Sequence, residues 1–456
     1  MKKCENLLIA NSLSHNTGIE VLQMDKNSIG IGLIGLGVIG GQVARVLLEK
    51  GELLAEQVGR PVILRKVKVL EPDLSRPQAK KMEPQLFTTD EEEFFSTPGI
   101  DIVIELIGSE EPALDYQKRA LLAGKHVITA NKEVIAKHRL ELEALAKKQN
   151  VSLSYEAAVG GGIPLIMPFQ RDLVANEIKG IYAIINGTTN YILTEMSREG
   201  IDFASALSQA QRLGYAEADP KNDIEGIDSR YKLAILASLA FQSQIHPDDV
   251  YCEGVSRLSN RDFRYAKEMG YIIKLLAIAK QSDGSIEVRV HPVCLPEDDF
   301  LAKVDGVYNA ILVEGDLVGK VTFLGEGAGP LPTSSAVVAD AVRVARDILL
   351  GAGCRPVSRL QLDKEIKKMS EIVTRYFIRI NIADSAGVLA QIAKVLGDNN
   401  ISIASAIQKE TDETAKTAEI VIMTHPSPEK GILQAVDELN SLDAVKEVNN
   451  FIRVEV

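Results

Sequence analysis

The chain has 456 residues, of which 46% are hydrophobic and 25% charged, a composition typical of a globular protein with enough apolar material for sizeable cores. At roughly 150 residues per domain, this length suggests about two to four domains. The formal net charge of -12 argues against nucleic acid or an anionic membrane as a partner, because both require a basic surface.

The cysteines and the N-terminal segment predict a cytoplasmic protein. The chain has 4 cysteines, scattered and without a CxxC pair, which favours reduced and packed thiols over disulfides or a zinc site. Residues 1–27 form a polar extension, and its apolar run at 7–10 is shorter than the roughly 7–15 residues of a signal-peptide core. No apolar run approaches the roughly 18 residues of a membrane span.

Residues 28–156 alternate between strand and helix patterns. The predicted strands are 28–34, 62–70, 101–107 and 125–130, with 151–156 as an extension of the same sheet. The predicted helices are 41–49, 112–122 and 133–148. This alternation predicts an α/β fold with a doubly wound parallel sheet.

Residues 156–350 have a different pattern of predicted helices and strands. The glycine-rich stretch 160–164 is a break, and the sequence then mixes predicted helices (203–213, 228–241 and 264–280) with predicted strands (178–185 and 286–292). We expect a second, α+β domain here. A second glycine-rich stretch, 325–330, leads into a predicted helix, 334–350, which we expect to pack back on the first domain.

The C-terminal segment is compact and follows a polar stretch that reads as a linker. Its predicted strands are 376–382, 401–408, 417–424 and 448–456, and its predicted helices are 387–397 and 430–439. The resulting order, βαββαβ, is that of a ferredoxin-like unit.

A GxGxxG turn follows the first predicted strand. Gly35 allows the tight turn, Gly37 lets the backbone approach a pyrophosphate, and Gly40 lets helix and strand pack closely. The N-terminus of the helix that follows then supplies amide donors to an anionic dinucleotide, as in Rossmann-type domains. The alternative is a glycine-rich turn without a ligand.

The end of the second predicted strand leaves NAD and NADP both open. A carboxylate there favours the NAD ribose, and a cation favours the NADP phosphate. Glu71 follows the strand, and the neighbouring cations are Arg65, Lys66, Lys68 and Arg76.

Two segments carry lysines suited to chemistry on a bound substrate. Lys132 follows the predicted strand 125–130, at the ligand-facing edge of a parallel sheet. Asp228 and Lys232 are four residues apart and share one helix face, after an acidic stretch that contains Glu217 and Asp223. A lysine can accept the proton of an alcohol if burial or a second ammonium lowers its pKa. The alternatives are a loop-capping lysine and an ordinary surface salt bridge.

The glycine-rich stretch 156–163 (EAAVGGGI) has two interpretations. Its exposed carbonyls could bind a cation, or it is a tight turn that links two domains.

Together these segments resemble the homoserine dehydrogenase family over nearly the whole chain from about residue 28. The shared motifs are GLGVIG, TANKEVIA, YEAAVGGGIPLI, INGTTNYIL, LGYAEADPKNDIEGIDSRYKLAIL and GEGAGPLPTSSAVVAD. The resemblance implies reversible, NAD(P)-dependent hydride transfer between L-homoserine and L-aspartate 4-semialdehyde in threonine, methionine and isoleucine biosynthesis.

The resemblance also implies roles for individual residues. Lys232 matches the proton-transfer lysine, Asp228 its carboxylate partner and Lys132 a second active-site lysine. The substrate-binding positions implied are Glu217, Asp223 and Tyr215. The cofactor-binding positions implied are Gly35, Gly37, Val38, Ile39, Gly40, Ser109, Lys132 and Gly327. A sodium ion is implied at Glu156, Val159, Gly161 and Ile163, the last three acting through backbone carbonyls.

The C-terminal unit resembles an ACT domain, a module that often binds amino acids at subunit interfaces. Its strand-to-helix loop commonly reads D-x-P-G, and here Ala386 replaces the proline. The domains expected are an extension (1–27), an NAD(P)-binding Rossmann domain (28–155, completed by about 325–350), a substrate and dimerisation domain (156–324), a linker (354–374) and an ACT domain (375–456). The family suggests a homodimer or homotetramer, with an amino-acid effector at the ACT domain.

Two other functions fit parts of the sequence. One is a different Rossmann dehydrogenase, acting on another amino acid or semialdehyde. The other is a non-catalytic amino-acid sensor, which would have no need of the lysines at 132 and 232.

Overall fold

The computed structural model describes residues 27–353, 364–412 and 416–455. Nearly all of the predicted N-terminal extension, and the first part of the predicted linker, lie outside the described residues. No helix in these ranges combines the length and apolarity that crossing a membrane requires.

The first sheet is parallel and doubly wound, as predicted. Its strands are β1 (Ile29–Ile34), β2 (Val62–Lys68), β3 (Phe87–Thr88), β4 (Ile102–Glu105), β5 (His126–Thr129) and β6 (Leu153–Ser154). Its helices are α1 (Val38–Glu49), α2 (Gly51–Val58), α3 (Glu91–Ser96), α4 (Ala113–Leu122) and α5 (Lys132–Lys148). The strand order β3-β2-β1-β4-β5-β6 reverses direction at β1, which is where such sheets bind ligands.

The second unit is built on a mixed sheet. Its strands are β7 (Ile178–Ile184), β8 (Tyr251–Cys252), β9 (Tyr271–Ser282), β10 (Ser285–Pro296), β11 (Tyr308–Gly315) and β12 (Gly319–Glu326). Its helices are α6 (Gly187–Glu199), α7 (Phe203–Arg212), α8 (Lys221–Ile224), α9 (Ile227–Ala240) and α10 (Asn260–Glu268). Helix α11 (Pro330–Leu349) then returns to the first sheet, where Val337, Ala341 and Val344 share a core with Val43 and Leu47 of α1.

The six longer elements of the C-terminal unit have the predicted βαββαβ order, and two strands of two residues each are added to them. Its elements are β13 (Glu365–Ile366), β14 (Val373–Ala383), α12 (Val388–Asp398), β15 (Ile403–Asp412), β16 (Thr417–Thr424), β17 (Ser427–Pro428), α13 (Glu429–Asn440) and β18 (Val445–Val454). Strand β18 pairs in parallel with β10, so one sheet runs through the second and third units. Strand β13 also pairs with β10, within the stretch predicted to be a linker.

One predicted helix, 264–280, is wrong. Helix α10 ends at Glu268, Gly270 adopts a left-handed conformation with φ 79°, and the rest of the segment forms the long strand β9. Ile273, Leu275, Leu276, Ala277 and Ile278 are all buried because β9 has packing on both faces, and such an apolar run does not distinguish strand from helix.

Candidate active site

The candidate site lies where the carboxyl edge of the parallel sheet meets α9 of the second unit. A cleft of about 130 Å³ separates them there. One wall contains Ile107, Gly108, Ala130, Asn131, Lys132 and Glu133, and the other contains Asn222, Ile227, Asp228 and Tyr231. The cleft therefore brings together two segments that are about a hundred residues apart in the sequence.

The glycine turn between β1 and α1 has the geometry of a dinucleotide turn. Gly35 has φ 93°, a conformation that side chains rarely adopt, and a Cβ at Gly40 would lie 2.0 Å from the Gly35 carbonyl oxygen. A Cβ at Gly37 would meet nothing within 4 Å, so the turn is open on that side. Gly37 caps α1 without a side chain, and Val38 is 63% exposed beside Ile39. The first amides of α1 thus remain available to a phosphate.

Most of the cations in and after β2 already have other partners or are buried, so few are available to a phosphate. Arg65 donates to the Ser28 hydroxyl, Lys66 pairs with Glu93 at 2.6 Å, and Lys68 is buried. Beyond the strand, Arg76 pairs with Asp73 in the loop that begins at Glu71. The loop after β2 therefore contains both a carboxylate, Glu71, and a guanidinium, Arg76, so it does not distinguish NAD from NADP.

Asn131 connects two loops at the edge of the cleft. Its side-chain oxygen caps α5 by accepting the Val134 amide, and its side-chain nitrogen donates to the carbonyls of Ile107 and Ser109, at 3.1 and 2.7 Å. This holds the loop of Ser109 against the start of α5, where Lys132 is the first helical residue.

Lys132, Asp228 and Lys232 form a cluster across the cleft. The Lys132 ammonium lies 3.0 Å from Asp228 Oδ1, and the Lys232 ammonium lies 2.6 Å from Asp228 Oδ2. Lys232 also donates to the Ile185 carbonyl at 2.9 Å. Asp228 and Lys232 are almost enclosed, whereas the Lys132 side chain is 42% exposed to the cleft.

The charges of this cluster stabilise one another. Burial alone would raise the pKa of Asp228, but the two ammonium groups outweigh it and hold that pKa well below its usual range. The charge of Asp228 raises the pKa of Lys132, because this attraction outweighs burial. Lys132 therefore does not show the lowered lysine pKa that the sequence analysis required of a proton acceptor; it is an ammonium at neutral pH.

The three predicted substrate-binding residues lie between α7 and α9, with Asp223 on the short helix α8. Asp223 is half-buried beside Asp228, and burial raises its pKa. Glu217 is exposed, and its charge contributes to the raised pKa of Lys132. The Tyr215 ring packs against Tyr191 at 5.0 Å, and its carbonyl accepts the Thr188 hydroxyl.

The sequence analysis missed Asn186, between β7 and α6. Its side-chain nitrogen donates to Asp223 and to Asp228, and its side-chain oxygen caps α6. An asparagine between an apolar strand and a helix does predict an N-cap. The two carboxylates lie on α8 and α9, more than thirty residues away in the sequence, and no local pattern indicates these contacts.

Glu156, predicted as a sodium ligand, has other partners. Its carboxylate accepts the main-chain amides of Leu165, Ile166 and Met167. Burial nevertheless raises the pKa of Glu156, because these amides do not fully offset the cost of enclosing its charge. The other predicted sodium ligands, Val159, Gly161 and Ile163, follow on the same segment, and Val159 and Ile163 are buried. Among the described residues, no group of three or more His, Cys, Asp or Glu side chains is arranged to hold a metal ion.

The turn that contains Gly161 instead packs against the late glycine-rich loop. A Cβ at Gly161 would lie 2.6 Å from the Gly327 carbonyl, and a Cβ at Gly327 would overlap the Asn309 side chain. The two glycine-rich segments thus come together beside the first sheet, and both need glycine for that approach.

Comparison with known proteins gives one consistent result. The family model described as "Homoserine dehydrogenase, NAD binding domain" matches residues 35–156, that described as "Homoserine dehydrogenase" matches 164–342, and that described as "ACT domain" matches 376–444. The chain is 43% identical to a homoserine dehydrogenase of Neisseria gonorrhoeae, over 94% of this chain and 98% of the relative.

Solved structures of homoserine dehydrogenases are also similar to this chain. A homoserine dehydrogenase from Thiobacillus denitrificans superposes with a TM-score of 0.87 at 42% identity, covering 94% of this chain and 98% of that one. A hyperthermophilic archaeal homoserine dehydrogenase mutant in complex with NADPH superposes with a TM-score of 0.61 at 27% identity, covering 73% of this chain and 100% of that one.

Proposed function

The chain belongs to the homoserine dehydrogenase family, with an NAD(P)-binding domain and a C-terminal ACT domain, and from that premise we propose how its residues carry out the reaction. The observation that carries the proposal is the cluster of Lys132, Asp228 and Lys232 at the cleft between the carboxyl edge of the parallel sheet and α9.

Homoserine has an ammonium, a carboxylate and a hydroxyl, and side chains around the cleft can complement the ammonium and the hydroxyl. We assign the ammonium to Glu217 and Asp223, which lie between α7 and α9. The hydroxyl faces Lys232, which Asp228 orients. Tyr215 lies on the same segment, and its backbone is fixed by Thr188.

Lys232, or a water that it holds, exchanges the proton of the substrate oxygen. During reduction the ammonium donates to the developing alkoxide, and during oxidation the uncharged amine accepts the hydroxyl proton. Lys132 supplies a second positive charge near the same oxygen, because Asp228 keeps it protonated. Such fixed charges stabilise the alkoxide-like transition state without reorganisation of solvent.

The nicotinamide cofactor, when bound, supplies or accepts the hydride. Gly35, Gly37 and Gly40 fit its pyrophosphate, since the turn is open at Gly37 and the amides of α1 have no side-chain cap. We place Val38, Ile39, Ser109 and Gly327 around the same ligand. NADP and NAD both stay candidates, because Glu71 and Arg76 occupy the loop after β2 together.

Three further assignments follow from the family and stay predictions. They are an amino-acid effector at the ACT domain, a homodimer or homotetramer, and a cytoplasmic location. A sodium ion at Glu156, Val159, Gly161 and Ile163 is also a prediction, and no step of the mechanism depends on it.

The test is oxidation of L-homoserine, followed at the nicotinamide absorbance with NAD and NADP in parallel. We expect reduction of at least one dinucleotide, and the ratio of the two values of kcat/KM identifies the preferred cofactor. Folded protein that binds the dinucleotide but turns over no homoserine would exclude the substrate assignment.

A further inference from the structure

The side-chain amide of Asn186 contacts both carboxylates of the substrate cleft. Its nitrogen donates to Asp223 Oδ1 at 2.7 Å and to Asp228 Oδ2 at 2.9 Å. A primary amide nitrogen has two protons, so each carboxylate receives one. Asn186 is only 6% exposed, so water does not compete effectively for these bonds.

The helix that follows fixes the orientation of this amide. Asn186 Oδ1 accepts the Thr189 amide and the Thr189 hydroxyl, both at 2.9 Å. Rotating the amide by half a turn would place its oxygen against two carboxylates and its nitrogen against an N–H group. The N-cap of α6 therefore sets the direction in which Asn186 donates.

The two carboxylates need such a donor because they lie close together. Burial raises the pKa of Asp223, and the charge of Asp228 raises it further. The hydrogen bond from Asn186 and the ammonium groups of Lys232 and Lys132 act in the opposite direction. These are the groups that face Asp223 from the start of α6, from α9 and from α5.

The neighbouring residue contacts the third member of the cluster. The Ile185 carbonyl accepts a hydrogen bond from Lys232 at 2.9 Å. Ile185 and Asn186, which directly follow β7, thus fix the positions of three site residues relative to that strand. These are Lys232, Asp228 and Asp223.

We propose that Asn186 is a positioning residue that holds Asp223, which binds the substrate ammonium, in register with Asp228, which orients the proton-transfer lysine. This inference rests on the proposed roles of Asp223 and Asp228. It predicts that losing the amide impairs the binding of substrate and the turnover together, because one nitrogen serves both carboxylates.

The test uses Asn186→Ser, in which the hydroxyl still caps α6 but the amide donor is absent. We expect the melting temperature to fall, because two enclosed carboxylates each lose a donor, KM for homoserine to rise, and kcat/KM to fall on the order of 10- to 100-fold. The acidic limb of kcat/KM should move to higher pH by about one unit, because Asp223 loses a donor that favours its ionised form.

Asp202→Ala is the matched control. Asp202 caps α7 through the Ser205 amide at 2.7 Å and does not line the cleft, so its loss should lower stability and leave kcat, KM and the pH profile unchanged. The same profile for Asn186→Ser, stability loss without a kinetic change, would overturn the proposal.

Asp223→Asn and Asp228→Asn separate this inference from the function on which it rests. If both variants lose activity while Asn186→Ser does not, the positioning role is wrong and the proposed function stands. If Asp223→Asn and Asp228→Asn are themselves fully active, the assigned roles of the two carboxylates fail, and the role of Asn186 fails with them.

Discussion

At the scale of single residues, the central feature is one carboxylate between two ammonium groups. Asp228 contacts Lys132 and Lys232 through different oxygens, so the two lysines have different surroundings. Lys232 is enclosed and also bonded to the Ile185 carbonyl, whereas Lys132 faces the cleft. The geometry thus favours Lys232 as the proton-transfer group and Lys132 as a fixed charge.

Lys132→Met should remove that fixed charge at every pH where the enzyme works. Since Asp228 raises the pKa of Lys132 above its ordinary value of 10.5, the wild-type group stays charged as the pH rises through the neutral and mildly alkaline range. We expect kcat/KM to fall on the order of 100-fold, by the same factor at about pH 6.5 and about pH 9. Lys132→Arg, which keeps the charge, should retain more activity. A loss that vanishes at the higher pH would show that Lys132 is uncharged there.

Sequence reasoning found part of this site, for a definable reason. The four-residue spacing places Asp228 and Lys232 on one helix face, so their contact is local. Lys132 meets Asp228 across the cleft, and only the family resemblance connected them. Asn186 was missed because its partners, Asp223 and Asp228, lie on α8 and α9. Their approach to the start of α6 depends on the tertiary fold.

At the scale of elements, local patterns predicted the parallel sheet and the βαββαβ unit well. Short apolar strands bounded by turns and helices with one apolar face follow from periodicity. Strands β11 and β12 were not predicted, and β9 was assigned to a helix. Strand β9 is apolar on both faces because layers cover it on both sides, so its burial is tertiary information that the residues alone do not contain.

The turn between β1 and α1 offers a matched pair of substitutions. Gly37→Ala should fold normally, because its Cβ meets no atom within 4 Å, but should weaken dinucleotide binding by filling the open side of the turn. Gly40→Ala should lower the free energy of unfolding by about 1–3 kcal/mol, because its Cβ would clash with the Gly35 carbonyl. Urea unfolding and dinucleotide titration measure the two effects. Equal dinucleotide affinity in Gly37→Ala and the wild type would contradict the placement of the pyrophosphate.

At the scale of the whole molecule, the C-terminal unit is joined to the catalytic part by paired strands and buried ions. Strand β18 pairs with β10, and Arg289, which is 1% exposed, donates to Glu455 just beyond β18. Arg379 of β14 donates to Asp262 of α10 at 2.7 Å, and Asp262 is fully buried. Hydrogen bonds between paired strands and buried ion pairs thus connect the C-terminal unit to the second unit.

Deleting residues 364–456 should therefore destabilise what remains. The deletion leaves Arg289 without Glu455 and Asp262 without Arg379, and removing one partner of a buried pair costs about 3–5 kcal/mol. We expect a lower melting temperature for the shortened protein, partly restored by Arg289→Met, which removes the charge that has lost Glu455 as its partner. An unchanged melting temperature would mean that the two units fold independently.

The account depends most directly on Lys232. The measurement is kcat for L-homoserine oxidation by Lys232→Ala and by the wild type, with the dinucleotide dissociation constant determined on the same samples. We predict that kcat falls by a factor on the order of 10² to 10⁴ while dinucleotide affinity stays close to wild type; the melting temperature should also fall, because buried Asp228 loses one of its two ammonium partners. A variant with near-normal kcat would contradict the assignment of proton transfer to Lys232, and with it the role given to the cluster around Asp228.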